Sequence, residues 1–473
     1  MKINLRRSGV AAGLLAGALV LAGCGEDDNG AAGGGDTERN ADATEVELTI
    51  TDNAIAGGKN SEGAVWIEEW VIPEFTRVQE ENGVDVTVTF EPNGVDDEDY
   101  KTKLALDLRT GQGADVMSID GIWTGEFAEA EYIQPLTEVA GDVVDEWDGW
   151  DQIPDAVQQA MSFEDEKYGI PQGTDGRVLY FNKDLFAQAG LPADWQPTSW
   201  DEILDTARQL KTLEGVTPIQ LNAGTAMGEA TTMQGFLPLL VGTGEQVWQD
   251  GTWTGASAGM TEALDFYATV YGEEALGDPL LQQEAQGRDQ SFALFAENKV
   301  AILLEGDYFW RSVVNPNGGI APMANRDEVV GWAKIPAQEP GAGINGQDFV
   351  SMSGGTGRVL NPNTEFPQQA WELLSFMNSP EAFESLLAGV PRITPRDDVN
   401  EDALVDDPML TFIAEEVLPI TAYRPALAIY SQVSVAMQEA TSSVVSGASG
   451  EEAAGDYRSA LEGIVGDDGA ISD

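Results

Sequence analysis

From Glu45 onward the chain alternates two kinds of apolar pattern. Short runs with period two or continuous hydrophobicity read as strands, and longer stretches with apolar positions every three to four residues read as helices. Val46 to Thr51 predicts a first strand. After a loop, Ser61-Glu62 opens a helix that puts Val65, Trp66, Trp70 and Val71 along one face. Val84 to Phe90 predicts a second strand, Lys103 to Thr110 a helix, and Val116 to Ile119 a third strand. This βαβαβ opening predicts an α/β fold, a sheet with helices on its faces. Further helices are predicted over Trp200 to Leu213, Gly259 to Tyr271, Pro367 to Met377 and Ala426 to Val445, with no internal repeat.

The N-terminus follows a different pattern. Lys2, Arg6 and Arg7 precede an apolar run from Val10 to Leu21 that is short for a membrane span and reads as a secretory leader. It ends in Leu21-Ala22-Gly23-Cys24, which resembles a bacterial lipobox, so residues 1–23 are expected to be removed and Cys24, the single cysteine, to carry lipid. Gly25 to Asp42 is rich in Gly, Asp and Asn, and residues 24–44 are expected to form a flexible tether.

Composition narrows the chemistry. The 473 residues hold 81 Asp and Glu against 24 Lys and Arg, a formal charge of -57, which opposes nucleic-acid binding. The absence of His excludes Ser/His/Asp catalysis and His-ligated metals. One Cys excludes internal disulfides. A hydrophobic fraction of 42% with 12 Trp suffices for a large core, and two domains are the prior at this length. Neither a dinucleotide fingerprint nor a P-loop occurs: Gly111-x-Gly113 lacks the third glycine and precedes a strand. The acids Asp96 to Asp99 lack the alternation of a calcium loop and read as a solvated acidic loop. Charge of this sign on an exported body predicts a saline habitat.

Four blocks carry a family resemblance. They are Gly113-Ala114-Asp115-Val116-Met117 with Asp120-Gly121-Ile122-Trp123; Tyr168-Gly169-Ile170-Pro171 with Leu179 to Phe186 and Trp200-Asp201-Glu202-Ile203; Phe292 to Trp310; and Ala370-Trp371-Glu372 with Ser379-Pro380-Glu381 and Arg424-Pro425. In order and spacing they resemble the extracellular solute-binding proteins of ABC importers, in the branch that takes sugars and oligosaccharides. Together they span nearly all of the chain after Glu45. One departure is Gly354-Gly355-Thr356, where many relatives have Gly-Gly-Trp, so one aromatic wall of the usual site is in question.

The resemblance implies a two-lobed, periplasmic-binding-protein-like (type II) clamshell with a hinge and an interlobe ligand cleft. Residues 45–170 plus 352–400 are assigned to lobe 1 and 171–351 plus 401–473 to lobe 2. Crossings are placed near Ile170 to Thr174, Val350 to Gly355 and Arg396 to Asp407. A sugar needs aromatic planes for its ring faces and acids, amides or Arg for its hydroxyl rim. Asp120 and Trp123 follow a strand end, where open α/β sheets bind ligands. Asp175 follows the first crossing and matches a family acid; Tyr308 and Trp310 would face one side of an extended segment. Trp66, Gln234, Thr232 and Arg424 complete the substrate-binding candidates, each weighed against an ordinary packing or turn role. The expected partners are a carbohydrate ligand, importer permease subunits and, through Cys24, a membrane; the chain is expected to be a monomer without metal, cofactor or catalytic residues, lipid-anchored outside the cytoplasmic membrane. A non-sugar solute such as a peptide or polyamine, a sensor without transport, and a secreted glycoside hydrolase are the alternatives.

Overall fold

The computed structural model describes residues 36–472 apart from 59, 96, 273, 285, 388–390 and 467–468. The leader and Cys24 lie outside the described residues, as does Asp96. The end of the expected tether is not free: Arg39 Nη1 donates to Thr364 O at 3.2 Å and Asn40 Nδ2 to Glu365 O at 2.8 Å, while Gln369 Nε2 donates to Asn40 O at 3.0 Å.

Two sheets organise the body. The first runs in the order Asp85–Pro92, Glu45–Asp52, Val116–Asp120, Thr356–Leu360, Gly169–Pro171. Its first three strands are parallel, and Thr356–Leu360 is antiparallel to both neighbours. One face packs on Trp66, Ile67, Val71 and Phe75 with Leu373 and Leu374. The other packs on Tyr100, Leu104, Trp123 and Phe127. Helices on both faces of a mainly parallel sheet are what the βαβαβ pattern predicted.

The second sheet has the order Val330–Ala333, Arg177–Asn182, Val300–Gly306, Thr217–Gln220. Every residue of Arg177–Asn182 and Val300–Gly306 is buried, so these strands carry continuous rather than alternating hydrophobicity. Trp200–Leu210, Ala258–Tyr271, Tyr430–Val445 and Gly450–Val465 contribute to the core on one face. Phe292, Phe309, Trp310 and Ile413 pack on the other.

The chain passes between the sheets at residues 172–176 and again at 354–355, side by side. Gln172 N donates to Thr356 O at 2.9 Å, and a Cβ on Gly355 would sit 2.2 Å from Gly173 O, so only glycine allows this approach. A third passage runs from Arg396, which donates to Asn378 O at 3.2 Å, to Asp407, which accepts from Trp310 Nε1 at 3.0 Å.

Two elements differ from the sequence reading. The helix expected from Lys103 starts at Asp97, so residues 97–99 belong to its first turn and not to a loop. The helix expected from Ala426 starts at Tyr430, after a turn following Pro425.

Burial raises the phenol pKa of Tyr100, Tyr180, Tyr267, Tyr271, Tyr423, Tyr430 and Tyr457. A folded-state pKa above the unfolded value means that this contribution to stability is complete below pH about 10 and is lost as pH rises further. The expected result is cooperative alkaline unfolding above pH about 10, each tyrosine steepening the loss by up to about 1.4 kcal/mol per pH unit. Urea unfolding followed alongside tyrosinate absorbance checks it; ionisation of these phenols with the fold intact would contradict it.

Candidate ligand-binding site

Two chambers flank the paired crossings. The first, about 560 Å³, is lined on the first lobe by Asp52, Trp66, Tyr100, Asp120, Trp123 and Arg358. The second, about 450 Å³, is lined by Asp175, Arg177, Glu229, Gln234, Arg311 and Arg424, among others. Gly173, Thr356 and Arg392 line both. A cavity of about 570 Å³ beside Phe163 and Trp248 shares only Arg424 with the second chamber, and its other charged lining is acidic (Glu129, Glu164, Asp165 and Asp250).

Strand ends deliver the first chamber's acids. Asp52 closes one parallel strand and Asp120 its neighbour, at the edge where open α/β sheets bind ligands. Asp120 also caps the following turn, accepting from Ile122 N at 3.1 Å. Asp52 holds Arg358 at 2.8 Å through one oxygen and Ser118 Oγ at 2.8 Å through the other. Trp66 and Trp123 are packed: Trp66 stacks on Trp70 at 6.4 Å, and Trp123 lies 6.4 Å from Tyr100 and 6.3 Å from Phe127. Both still line the chamber, so here the packing role and the cleft role coincide.

The hinge feeds the second chamber. Asp175 accepts from Arg177 Nη1 and from Gly354 N at 2.8 Å, tying two crossings together. Gln234 Oε1 accepts from Arg177 Nε at 2.8 Å. Arg424 reaches both sides: Nη1 lies 3.1 Å from Glu229, and Nη2 lies 3.9 Å from Asp120. Glu229 also accepts from Tyr430 Oη at 2.7 Å and Ser434 Oγ at 2.5 Å. Deeper in the second sheet, Arg288 grips Glu305 in a fork, 2.8 and 2.7 Å, and Arg311 holds Asp307 at 2.8 Å. Burial raises the Asp307 carboxyl above its ordinary pKa against the pull of Arg311.

Two expectations need correction, and the doubt about Thr356 is upheld. Tyr308 and Trp310 do not face one side, because Arg311 N bonds Asp307 O and the segment is helical, not extended. Two residues on a helix point about 200° apart. Tyr308 is therefore 37% exposed, while Trp310 is 1% exposed, bonded to Asp407 and sandwiched between Arg326 and Trp332; it is a core residue and not a ligand platform. Thr232 is buried and bonds Glu229 O at 3.0 Å, so it supports the site from behind. Thr356 stands at the junction of the chambers and supplies no aromatic wall there.

The sequence reading missed Asp52, Arg177, Arg358, Glu229, Arg288 and Arg311. A signal existed: with only 24 basic residues in the chain, each arginine in or beside a strand merited scrutiny.

A clamshell of two α/β lobes, with polar chambers meeting at its crossings, defines a hinged binding protein. The family model of bacterial extracellular solute-binding proteins matches residues 58–382. The chain belongs to that family. It is 25% identical over 367 residues to a binding protein of Brucella abortus (strain 2308), covering 77% of this chain and 76% of that one. A mannitol-binding protein of Pseudomonas aeruginosa is 26% identical over 209 residues, 43% of this chain and 45% of its own. Among solved structures, the sugar-binding protein MalE of Xanthomonas citri superposes with a TM-score of 0.71 at 17% identity, covering 88% of this chain and 97% of that one. Among the described residues no helix is long and apolar enough to cross a membrane, and no cluster of His, Cys, Asp or Glu is placed to hold a metal ion.

Proposed function

We propose that this chain is the carbohydrate receptor of an ABC importer, capturing a sugar or oligosaccharide between its lobes and presenting it to permease subunits. The observation that carries this reading is the joining, at the crossings, of the aromatic surfaces of Trp66 and Trp123 in the first chamber with ordered carboxylate and guanidinium groups, Tyr308 lying near Arg288 behind the second. That combination suits a sugar's apolar ring faces and hydroxyl rim. The names of relatives agree, one binding mannitol and another described as sugar-binding. Ligand held by both lobes favours the closed state by its extra contacts there. In this reading the lobes are 45–170 plus 352–400 and 171–351 plus 401–473, the body is monomeric, and lipid on Cys24 holds it outside the cytoplasmic membrane. Asp120, Trp123, Asp175, Tyr308, Arg424, Trp66 and Gln234 contact ligand or order the groups that do. The carboxylates serve as acceptors and the protein turns nothing over.

A thermal-shift and calorimetric screen across mono- and oligosaccharides tests the reading. Ligand at 100 times its Kd is expected to add about 2.7 kcal/mol to stability. A response to peptides or polyamines and to no sugar rejects the carbohydrate class; release of product from a glycoside rejects the non-enzymatic role.

A further inference from the structure

We infer that the ligand carries an anionic oxygen group, a carboxylate or a phosphate on a sugar, seated in the second chamber at Arg288 and Arg311. The inference rests on the carbohydrate reading above and specifies the ligand's charge.

Its first support is the lining. Arg177, Arg288, Arg311, Arg392 and Arg424 line this chamber against two carboxylates, Asp175 and Glu229. The whole chain has 81 acids and 24 bases, so the chamber reverses the molecule's own ratio. Both carboxylates are already engaged, Asp175 by Arg177 and Gly354 N, Glu229 by Arg424, Tyr430 and Ser434.

The second support is where the balancing charges sit. Glu305 and Asp307, the partners of Arg288 and Arg311, are each 2% exposed, while the arginines themselves are 26% and 34% exposed. These two carboxylates lie behind their guanidinium groups and fix their orientation, so at Arg288 and Arg311 the chamber meets the arginine; at Asp175 with Arg177 and Glu229 with Arg424 the carboxylate is the more exposed member. Buried ion pairs of this kind cost desolvation and are poor stabilisers in themselves, so their retention fits a role in presenting the forks.

The third support is hydrogen-bond chemistry. A hydroxyl rim both donates and accepts, and the first chamber matches it with Asp52, Asp120, Asn53 and Ser118. A guanidinium only donates, and its fork fits a carboxylate or phosphate in two parallel bonds. Arg288 and Arg311 each lie 5.9 Å from the Tyr308 ring, which places an aromatic surface between the two cations. A sugar ring on Tyr308 would carry its charged substituent to either one.

Calorimetry on matched ligands, at about 0.15 M and about 1 M NaCl, tests this: glucose, glucuronate and glucose 6-phosphate; galactose and galacturonate. The charged member of at least one set is expected to bind about tenfold or more tightly than the neutral one, with the preference shrinking at high salt. The two arms, uronate and phosphate, identify which oxygen group is taken. Of R311Q/D307N and R288Q/E305Q, which remove charge on both sides of a pair and so avoid an unpaired buried carboxylate, the one that removes the seating fork is expected to lower the charged-to-neutral preference to about twofold or less. Neutral sugars binding as tightly as charged ones, or a preference untouched in both folded double variants, overturns the anionic assignment and leaves the carbohydrate receptor standing. Peptide or polyamine binding with no response to any sugar, neutral or charged, overturns the receptor reading itself and this inference with it.

Discussion

Arg358→Met is expected to lower the unfolding free energy by about 3–5 kcal/mol, the usual cost of removing one partner of a buried ion pair. Arg358 lies opposite Ser118 in the antiparallel register between Thr356–Leu360 and Val116–Asp120, and it is 2% exposed. Its Nη2 donates to Asp52 at 2.8 Å, and Tyr100 and Trp66 lie around it, the Trp66 ring 5.6 Å away. Burial pulls the guanidinium pKa below the usual arginine value, against the attraction of Asp52. Its Nε and Nη1 are buried without partners. The pair is thus costly to maintain and costlier to halve, because methionine leaves the largely enclosed Asp52 carboxylate with only Ser118 Oγ among its side-chain donors. Removing both charges in R358M/D52N is expected to recover most of the loss, since apolar or neutral replacements of buried pairs are often tolerated. Urea unfolding of the two variants and the parent decides the matter. A loss below about 1 kcal/mol in the single variant would mean that solvent reaches the pair and that the first chamber is wetter than its lining implies.

The α/β opening was legible because its signal is local. Val46, Leu48 and Ile50 alternate on one strand, and of the face expected on the first helix Trp66 and Val71 are buried while Val65 is exposed, so periodicity placed the opening strands and the first helix but not all of its buried face. Asp120 was singled out for a related reason: it ends a strand, and strand ends of such sheets bind ligands; Asp52 ends the neighbouring strand in the same way and was missed. Of the arginine set only Arg424 was singled out in the sequence. Arg177, Arg288 and Arg311 lie far from it in the chain, and their convergence depends on the crossings at 172–176 and 354–355 folding back on each other. Tyr308 and Trp310 failed for a local reason. A turn after Gly306 converts the segment from extended to helical, and that change reverses which of the two faces solvent. Gly306-Asp307 held the only cue, a Gly-Asp step at a strand end, and it reads equally well as a strand continuing.

Raising NaCl from about 0.05 M to about 2 M is expected to raise the midpoint of thermal unfolding by roughly 3 °C, equivalent to about 3 kcal/mol for a body of this size. Two effects of salt oppose each other. Exposed ion pairs such as Arg77 with Glu74 and Arg208 with Glu274 weaken on screening, but each is worth at most about 1 kcal/mol. Against them stand 81 carboxylates and 24 cations, so even complete one-to-one pairing leaves most acids facing other acids. Their repulsion acts over a Debye length of about 10 Å at 0.1 M and about 3 Å at 1 M, so screening removes most of it in the folded state, where the charges are closest. The repulsive sum is larger than the few pairs lost, and the sign is therefore positive. NaCl is the right probe because sulfate or phosphate would stabilise by exclusion from the surface whatever the charge. A midpoint that stays flat or falls would show that the unfolded chain relieves no repulsion on opening. The surface acids would then have to be compensated by contacts other than screening. Deep charge pairs should behave differently from the surface: Arg288 with Glu305 and Arg311 with Asp307 are shielded by burial, so any ligand preference they set should fall less steeply with salt than the repulsion that surrounds them.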